Sequence, residues 1–201
     1  MIGALLHKFA GSACAEQPEL RARVAELEAR DSVSGLLSAR AFYEQLASAF
    51  HAPDERRRPG VALIVLEIDC FAELAAQYGC ESAEELLRPI GAVLGPRARR
   101  HEPCGRLGLS RFALALPGTV KPEALAVACR IQDAIARSEF RLVRDCVRVT
   151  ASIGVAAVPD DAADIDALFA HARAALREAQ SAGGNRAWPA GSRRAPENRR
   201  V

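Results

Sequence analysis

The sequence predicts an α/β (α+β) domain in which a mixed central β-sheet of about five strands is covered by helices and preceded by an N-terminal helix. The run VALIVLEID, residues 61–69, is continuously apolar and ends in two acids, which is typical of a fully buried central strand. Residues 164–182 place their apolar side chains on one face at helical spacing, as a helix packed on a sheet does. Strand and helix patterns follow one another in the order βααββαββα, which favours one sheet with helices on its faces.

Composition restricts the class of protein. The chain has 201 residues, of which 50% are hydrophobic and 26% are charged, and its formal net charge is +2. These values predict one globular domain with short extensions, and they favour neither a disordered chain nor a nucleic-acid binder. No apolar run is long enough to span a membrane, and His7 and Lys8 interrupt the N-terminal one, so we expect neither a membrane segment nor a signal peptide.

Cysteine and histidine usage gives no sign of a metal site. The six cysteines occur without CxxC or Cys/His spacing, and the four histidines share no spacing with one another or with acids. This pattern argues against zinc and against a disulfide framework. It favours reduced thiols, and therefore a cytoplasmic location.

The two ends of the chain differ from its middle. Residues 20–30 carry apolar side chains at heptad-like spacing and predict a short helix, either a cap packed on the domain or a dimerising stalk. The last residues are rich in proline, glycine and arginine, which is typical of disorder. The expected divisions are an N-terminal segment with the stalk-like helix (1–30), one domain (31–188) and a basic disordered tail (189–201).

Local signals place the remaining elements in order. Ser38 is a suitable N-cap for a helix that runs to about residue 50. A helix over 71–78 is followed by a second one that starts at a capping box of Ser82 and Glu85, and Pro89 is expected to kink or end it. The other elements are a hairpin (103–116), a helix (121–137), a second strand pair (140–143 with 146–158) and a short edge strand (185–188).

Five blocks carry the most specific signal: DSVSGLLSARAF, EIDCFAELAAQYGCESAEELL, RLGLSRFALALPG, ASIGVA and ALREAQSAGGNRAW. In this order, over residues 31–188, they resemble the motifs of GGDEF domains, the diguanylate cyclases. The resemblance implies the mixed-sheet, nucleotide-cyclase-like fold of that family. It also implies an ancestral reaction in which two GTP molecules, each held in one half of a dimer, condense to cyclic di-GMP with the help of carboxylate-bound Mg²⁺.

The hairpin departs from the R-Y-G-G-D-E-F pattern of the family. Gly108 matches the first glycine and Phe112 the phenylalanine, but Leu109 replaces the second glycine, Ser110 the metal-binding acid and Arg111 the next acid. Leucine resists the positive φ that glycine allows. Arginine stays protonated, and two unit charges about 4 Å apart interact by roughly 4 kcal/mol at an effective dielectric near 20. We therefore expect no productive Mg²⁺ beside the arginine.

The other positions that the resemblance assigns to substrate are depleted as well. Glu67 stands at the first metal carboxylate and Asp69 at the second acid of that segment. The positions for phosphate and guanine contacts are Ala72, Ala75, Glu84, Gln180 and Gly184. Only the glutamate among them keeps the character of the family residue, an aspartate. We expect no catalytic residue, no metal site and no cofactor, with Mg²⁺ required only if the chain is an active cyclase.

Two further features are candidates for binding. Many family members bind their product through an R-x-x-D motif ahead of the hairpin, and here Arg99 and Glu102 stand at its arginine and aspartate. A guanidinium and a carboxylate can both hydrogen-bond guanine, so this pair is the candidate cyclic di-GMP site. At the hairpin, Arg111 is either a surface residue at a turn or, with Leu109, a contact for an anion or a protein.

Three functions follow from these observations. The first is a catalytically inactive, degenerate GGDEF domain that works in cyclic di-GMP signalling through protein interaction, dimerisation or cyclic di-GMP binding at Arg99 and Glu102. The alternative is an active diguanylate cyclase that uses Glu67 and an unrecognised second acid. The third is a structural remnant without a ligand. The expected partners are a protein or a second copy, and cyclic di-GMP, with no nucleic acid and no membrane.

Overall fold

The computed structural model describes residues 28–51, 60–99, 101–143 and 145–192. Most of the predicted N-terminal helix and the predicted tail beyond residue 192 lie outside these ranges. In chain order the elements are α1 (Ala39–His51), β1 (Val61–Ile68), α2 (Phe71–Tyr78), α3 (Cys80–Glu85), α4 (Leu87–Leu94), a 3₁₀ turn (Gly95–Arg97), β2 (Cys104–Arg106), β3 (Arg111–Pro117), α5 (Lys121–Arg137), β4 (Phe140–Leu142), β5 (Asp145–Val147), β6 (Ala151–Ala157), α6 (Ile165–Ser181) and β7 (Ala187–Pro189).

Strand β1 is the centre of a five-stranded mixed sheet with the order β2-β3-β1-β6-β7. It pairs antiparallel with β3 on one side and with β6 on the other, and β7 joins β6 in parallel. Its side chains from Val61 to Leu66 are all buried, because the sheet is covered on both faces. The predicted fold class and the predicted central strand are confirmed.

The helices form two layers, one on each face of the sheet. Leu63 of β1 packs with Phe42 of α1 and with α6, whereas the next residue, Ile64, packs with Ile131 of α5 and with α2 to α4. Successive side chains of a strand point to opposite faces, so β1 contributes to both cores. No helix in the described part of the chain is both long and apolar enough to cross a membrane.

Helix α6 lies unusually close to the sheet at Gly154 of β6. A Cβ atom at this position would be 2.0 Å from the carbonyl oxygen of Ala172 and 2.4 Å from the amide nitrogen of Leu176. Real carbon atoms do not approach so closely, so only glycine fits here. The close approach determines where the C-terminal end of α6 lies relative to the ends of the strands.

The predicted capping box at Ser82 and Glu85 is wrong. Helix α3 begins at Cys80, because the Gly79 carbonyl accepts the first helical hydrogen bond, from the Ala83 amide. Gly79 is therefore the N-cap residue, and no side chain caps the helix. The predicted interruption is confirmed, but it occurs at residue 86. Pro89 therefore lies in the first turn of α4, where its missing N–H breaks no hydrogen bond.

The predicted strand pair of 140–143 with 146–158 is confirmed only at its start, where β4 pairs antiparallel with β5, and is wrong for the rest of the run. Strands β4 and β5 form a separate two-stranded sheet, and β6 belongs to the main sheet. Asp145 and Cys146 of β5 are exposed, whereas every residue of β6 is buried. The run 146–158 is therefore divided between an exposed strand of the small sheet and a buried strand of the main sheet.

Other local predictions are confirmed. Ser38 Oγ accepts a hydrogen bond from the Ala41 amide at the start of α1, at 3.3 Å. Helix α5 has the predicted bounds. Helix α6 lies within the predicted range 164–182, and the structure adds that Asp164 caps it by accepting from the Ala167 amide at 2.7 Å. The short edge strand is β7, displaced by one or two residues from its predicted bounds.

Candidate functional site

An ion pair joins the ends of β1 and β3. Glu67 and Arg111 are directly opposite each other in the antiparallel register. The Arg111 Nη2 atom donates to both carboxylate oxygens of Glu67, at 3.1 Å to Oε1 and 3.0 Å to Oε2. The two side chains are 34% and 24% exposed. The guanidinium of Arg111 is thus paired with Glu67 inside the chain, and is neither a free surface group nor an open anion contact. The remaining interpretation made from sequence, a protein contact formed with Leu109, stays a prediction.

The end of α6 contributes a third group. Gln180 Nε2 donates to Oε2 of Glu67 at 3.1 Å, so the carboxylate has partners from β3 and from α6. The resemblance placed a phosphate-binding cation at position 180. Here the side chain at that position hydrogen-bonds the one acid that remains from the expected metal site.

These residues do not fit the Mg²⁺ ions of the family. Mg²⁺ requires octahedral coordination by oxygen ligands, with carboxylates supplying the charge. The Glu67 carboxylate is bonded to a fixed cation and an amide, and Ser110 supplies a buried hydroxyl in place of the second carboxylate. Within the described ranges no group of three or more His, Cys, Asp and Glu side chains could hold a metal ion.

Asp69 has a structural role. Its carboxylate accepts hydrogen bonds from the hydroxyls of Thr150 and Ser152, each at 2.6 Å, and from the Asn185 amide at 2.9 Å. Gly184, another position assigned to phosphate, has a φ of +70°, and a Cβ atom there would lie 3.2 Å from Asp69 Oδ2. Asp69 therefore ties β1 to β6 and to the turn after α6.

The hairpin turn does not use the left-handed conformation. Neither Gly108 nor Leu109 has a positive φ. A Cβ atom added to Gly108 would have one neighbour within 4 Å, Arg111 Cβ, at an ordinary contact distance of 3.7 Å. Leucine is therefore accommodated in the turn without the strain expected from the sequence. Its side chain is 68% exposed, whereas Phe112 is fully buried.

Arg106 of β2 holds this turn in place. Its Nε donates to the Gly108 carbonyl at 2.9 Å and its Nη2 to the Leu109 carbonyl at 3.0 Å. The same guanidinium forms ion pairs with Glu84 of α3 at 3.2 Å and with Asp31 at 3.3 Å. The Arg106 side chain is only 10% exposed, so one buried cation connects the hairpin, α3 and the segment before α1.

The acidity of Asp31 reflects this arrangement. Burial acts to raise the pKa of its carboxyl group, but hydrogen bonds from the amide and hydroxyl of Ser34, together with the charge of Arg106, outweigh burial. The net result is a pKa below the ordinary value of 3.8. The carboxylate form of Asp31 is therefore favoured by the folded state.

Three of the five positions assigned to guanine and phosphate contacts lie on α2 and α3. Ala72 is exposed on α2, and Ala75 is half-buried against the core. Glu84 is the only acid among them, and its carboxylate is bonded to Arg106. The methyl groups of the two alanines cannot hydrogen-bond a nucleotide, and the Glu84 carboxylate is already bonded to Arg106.

The candidate cyclic di-GMP residues, Arg99 and Glu102, lie in one turn and bond each other. Glu102 Oε2 accepts from the Arg99 amide at 2.8 Å, and Oε1 lies 3.7 Å from Arg99 Nε. The Glu102 side chain is 5% exposed, whereas that of Arg99 is 75% exposed. Of the two, only the guanidinium faces solvent.

Sequence reasoning missed Arg106 and the partner of Glu67. A charged residue in the otherwise small and apolar strand β2 was a usable signal, because a buried arginine requires acceptors. Nothing local indicated the contact between Gln180 and Glu67, which are 113 residues apart.

The chain was compared with families of known proteins. The family model described as diguanylate cyclase, GGDEF domain, matches residues 28–186. The chain is 31% identical over 167 residues to the diguanylate cyclase VdcA of Vibrio cholerae, covering 79% of this chain and 46% of VdcA. It is 29% identical over 163 residues to the response regulator PleD of Caulobacter vibrioides, covering 80% of this chain and 36% of PleD. The chain thus spans less than half the length of these relatives.

Solved structures of GGDEF proteins share the fold of this chain. The coiled coil and GGDEF domain of DgcB from Caulobacter crescentus, crystallised with c-di-GMP, has a TM-score of 0.79 at 21% identity, covering 92% of this chain and 99% of that one. The diguanylate cyclase SiaD from Pseudomonas aeruginosa, crystallised with its activator SiaC, has a TM-score of 0.72 at 26% identity, covering 93% and 72%. DgcB, at its lower identity, supports the fold alone. From the family model and the shared fold together, we conclude that this chain belongs to the GGDEF domain family.

Proposed function

We propose that this chain is a non-catalytic GGDEF domain that acts in cyclic di-GMP signalling by contact with another protein or a second copy. It does not condense GTP. The observation that carries the proposal is the ion pair between Arg111 and Glu67. The guanidinium of Arg111 is bonded to the carboxylate that would otherwise bind the metal ion.

The electrostatics of the pair support an inactive site. A Mg²⁺ ion on Glu67 would have to displace the guanidinium and would then lie close to its positive charge. Such repulsion amounts to several kcal/mol at short distance and the effective dielectric of a partly buried site. Arginine cannot relieve it by losing a proton, because its pKa is too high.

The signalling context comes from the relatives. VdcA is a diguanylate cyclase, PleD is a response regulator, and the DgcB domain was crystallised with c-di-GMP. SiaD was crystallised with an activator protein, so a GGDEF-containing protein can work through a protein contact. A member that keeps the fold, loses one metal carboxylate and pairs the other with an arginine can retain such contacts without the reaction.

The test is incubation of the purified chain with GTP and Mg²⁺, with product detected by chromatography and mass spectrometry. VdcA serves as the positive control. We expect no cyclic di-GMP from this chain, whereas accumulation would establish the alternative, an active diguanylate cyclase. The variant Arg111→Ala should remain inactive as well, because Ser110 and Ala72 still replace the acid and the cation that catalysis requires.

Cyclic di-GMP binding is a second candidate, favoured by the exposed guanidinium of Arg99. A free guanidinium can bind a phosphate or the acceptor edge of guanine with two hydrogen bonds. Calorimetric titration with cyclic di-GMP tests this candidate, and binding should be lost in Arg99→Ala. Binding that persists in the variant would place the ligand elsewhere, and absence of binding would leave protein contact alone.

A further inference from the structure

A groove opens at the β7 edge of the main sheet, beside the middle of α6. One wall is a single face of α6, formed by His171, Ala174, Ala175 and Glu178, and residues 188–192 form the rest of its lining. Its volume is about 460 Å³, which is within the range of ligand sites in proteins. We call it the α6–β7 groove. None of its lining residues is a position assigned above to GTP or to cyclic di-GMP.

The α6–β7 groove contains a carboxylate without a partner. Glu178 is exposed, and its side chain has no ion pair or hydrogen bond with any described residue. Partners within a helix lie three or four residues away. At those positions are Ala174, Ala175, Ser181 and Ala182. No lysine or arginine is among the described residues that line the groove, so the charge of Glu178 is left for a cation from elsewhere.

Trp188 adds an aromatic surface to the same groove. The residue packs in the core against α6 and is 7% exposed. A guanidinium pairs with a carboxylate through two hydrogen bonds and also stacks on an indole ring, because it is a planar, delocalised cation. An indole and an unpaired carboxylate in one groove therefore fit the side chain of an arginine.

The chain turns back to this groove as it leaves β7. Residues 189–192 form a β-turn, in which the Ser192 amide donates to the Pro189 carbonyl at 3.3 Å and Gly191 has a φ of +75°. Trp188 Nε1 donates to the Ser192 carbonyl at 3.2 Å. These two hydrogen bonds hold Ser192 in the groove lining, so the residues that follow it start at the groove.

We propose that the α6–β7 groove binds the arginine side chains of residues 193–201 of the same chain. This segment lies outside the described residues, and it contains four arginines and one glutamate. Since it starts at the groove, and each residue extends the chain by up to about 3.5 Å, its first arginines are within reach of Glu178. Covalent attachment gives the segment a high effective concentration, which favours it over free cations.

Cross-linking of the full chain tests the contact directly. A carbodiimide joins a carboxylate to a primary amine, and the chain has no lysine after Lys121. In Arg194→Lys, with Arg199→Lys as a second variant, we expect the introduced amine to be linked to Glu178, as identified by mass spectrometry of peptides. Adding Glu178→Gln should remove this link. The exposed Glu81 of α3, a helix packed on the other face of the sheet, is the control carboxylate and should give no link.

Fluorescence gives an independent readout, because Trp188 is the only tryptophan of the chain. Serine in place of all four arginines of residues 193–201 should raise the acrylamide quenching constant about twofold, since an attached segment at millimolar effective concentration occupies a weak site for much of the time. Glu178→Gln should have the same effect, and the matched Glu81→Gln none. High salt should raise quenching in the wild type, because it screens the ion pair. A cooperative urea transition verifies that each variant is folded.

The outcomes separate this occupant from others. A lack of any link to Glu178 in both lysine variants, or quenching that Glu178→Gln leaves unchanged, would contradict the proposal. So would a link found only in a species of twice the 21.5 kDa mass, because the segment would then come from another copy. The inference goes beyond the proposed function, and its tests use no nucleotide, so synthesis of cyclic di-GMP would leave it unaffected.

Discussion

Arg111 Nη2 lies 3.0 Å from Oε2 of Glu67, and the two residues are direct partners in the register of β1 and β3. Because the two residues face each other across neighbouring strands, their side chains come within hydrogen-bond distance with both strands in regular pairing. Arginine at this position has a consequence beyond the loss of an acid, because it also neutralises the acid that remains. A double-mutant cycle can measure the interaction.

For this cycle we expect Arg111→Ala and Glu67→Ala to be coupled by about 1 kcal/mol in the free energy of unfolding, since contacting charged partners do not act independently. Urea denaturation of the wild type, both single variants and the double variant gives the coupling energy. Arg40 and Glu44, an exposed pair on α1, are the control and should couple much more weakly, because solvent screens exposed ion pairs. Additive effects of Arg111→Ala and Glu67→Ala would contradict a functional ion pair.

Arg106→Lys should destabilise the fold almost as strongly as Arg106→Ala. The ammonium of lysine cannot bond two carbonyls and two carboxylates with the geometry of a guanidinium fork. Removal of one partner from a buried charge network costs about 3 kcal/mol. The exposed Arg99→Ala is the matched control, with little effect on the urea midpoint expected. Equal midpoints for wild type and Arg106→Lys would show that the fork is not required.

Gly154→Ala should be among the most destabilising single changes in the domain. The added Cβ would overlap the α6 backbone, which requires a shift of the helix or of β6, and overpacking of this kind costs about 1–3 kcal/mol or more. Gly108→Ala adds the same methyl group at a position with ordinary contacts and should be nearly neutral. Thermal unfolding of the two variants compares them directly, and similar melting temperatures would refute the close approach of α6.

Cysteine reactivity should follow burial. Burial raises the pKa of the Cys104 thiol to about 12, whereas Cys70, Cys80 and Cys146 are exposed. Because the thiolate is the reactive form, iodoacetamide near pH 8 should modify the three exposed cysteines and spare Cys104. Mass spectrometry of peptides reports each site. In urea Cys104 should react at the rate of the others, and its rapid modification in the folded chain would contradict this burial.

Asp31 should contribute to stability in a defined range of pH. Since its pKa is lower in the folded chain than in the unfolded one, its contribution is complete above about pH 4 and is lost as the pH falls through the folded value. We expect Asp31→Asn to be less stable than the wild type at neutral pH. The difference in free energy of unfolding should shrink below about pH 4. A difference that stays constant down to pH 2 would exclude this linkage.

The local elements could be predicted because their signals are local. The apolar run of β1, the cap Ser38 and the bounds of α5 depend on residues a few positions apart. The capping box at Ser82 and Glu85 failed although its signal is local, whereas the strand prediction for 146–158 failed because distant contacts decided the outcome. The run 146–158 is divided because only its second half enters the main sheet.

The candidate site divides in the same way. That the hairpin lacks the acids of the family can be read directly from three consecutive residues, Leu109, Ser110 and Arg111. The partners of these side chains become visible in the folded chain, where Arg111 and Gln180 both bond Glu67 and Arg106 joins Asp31 to Glu84. The reason is physical. Periodicity reports which face of an element is apolar, whereas the pairing of side chains many residues apart depends on strand register and on how closely a helix can approach the sheet.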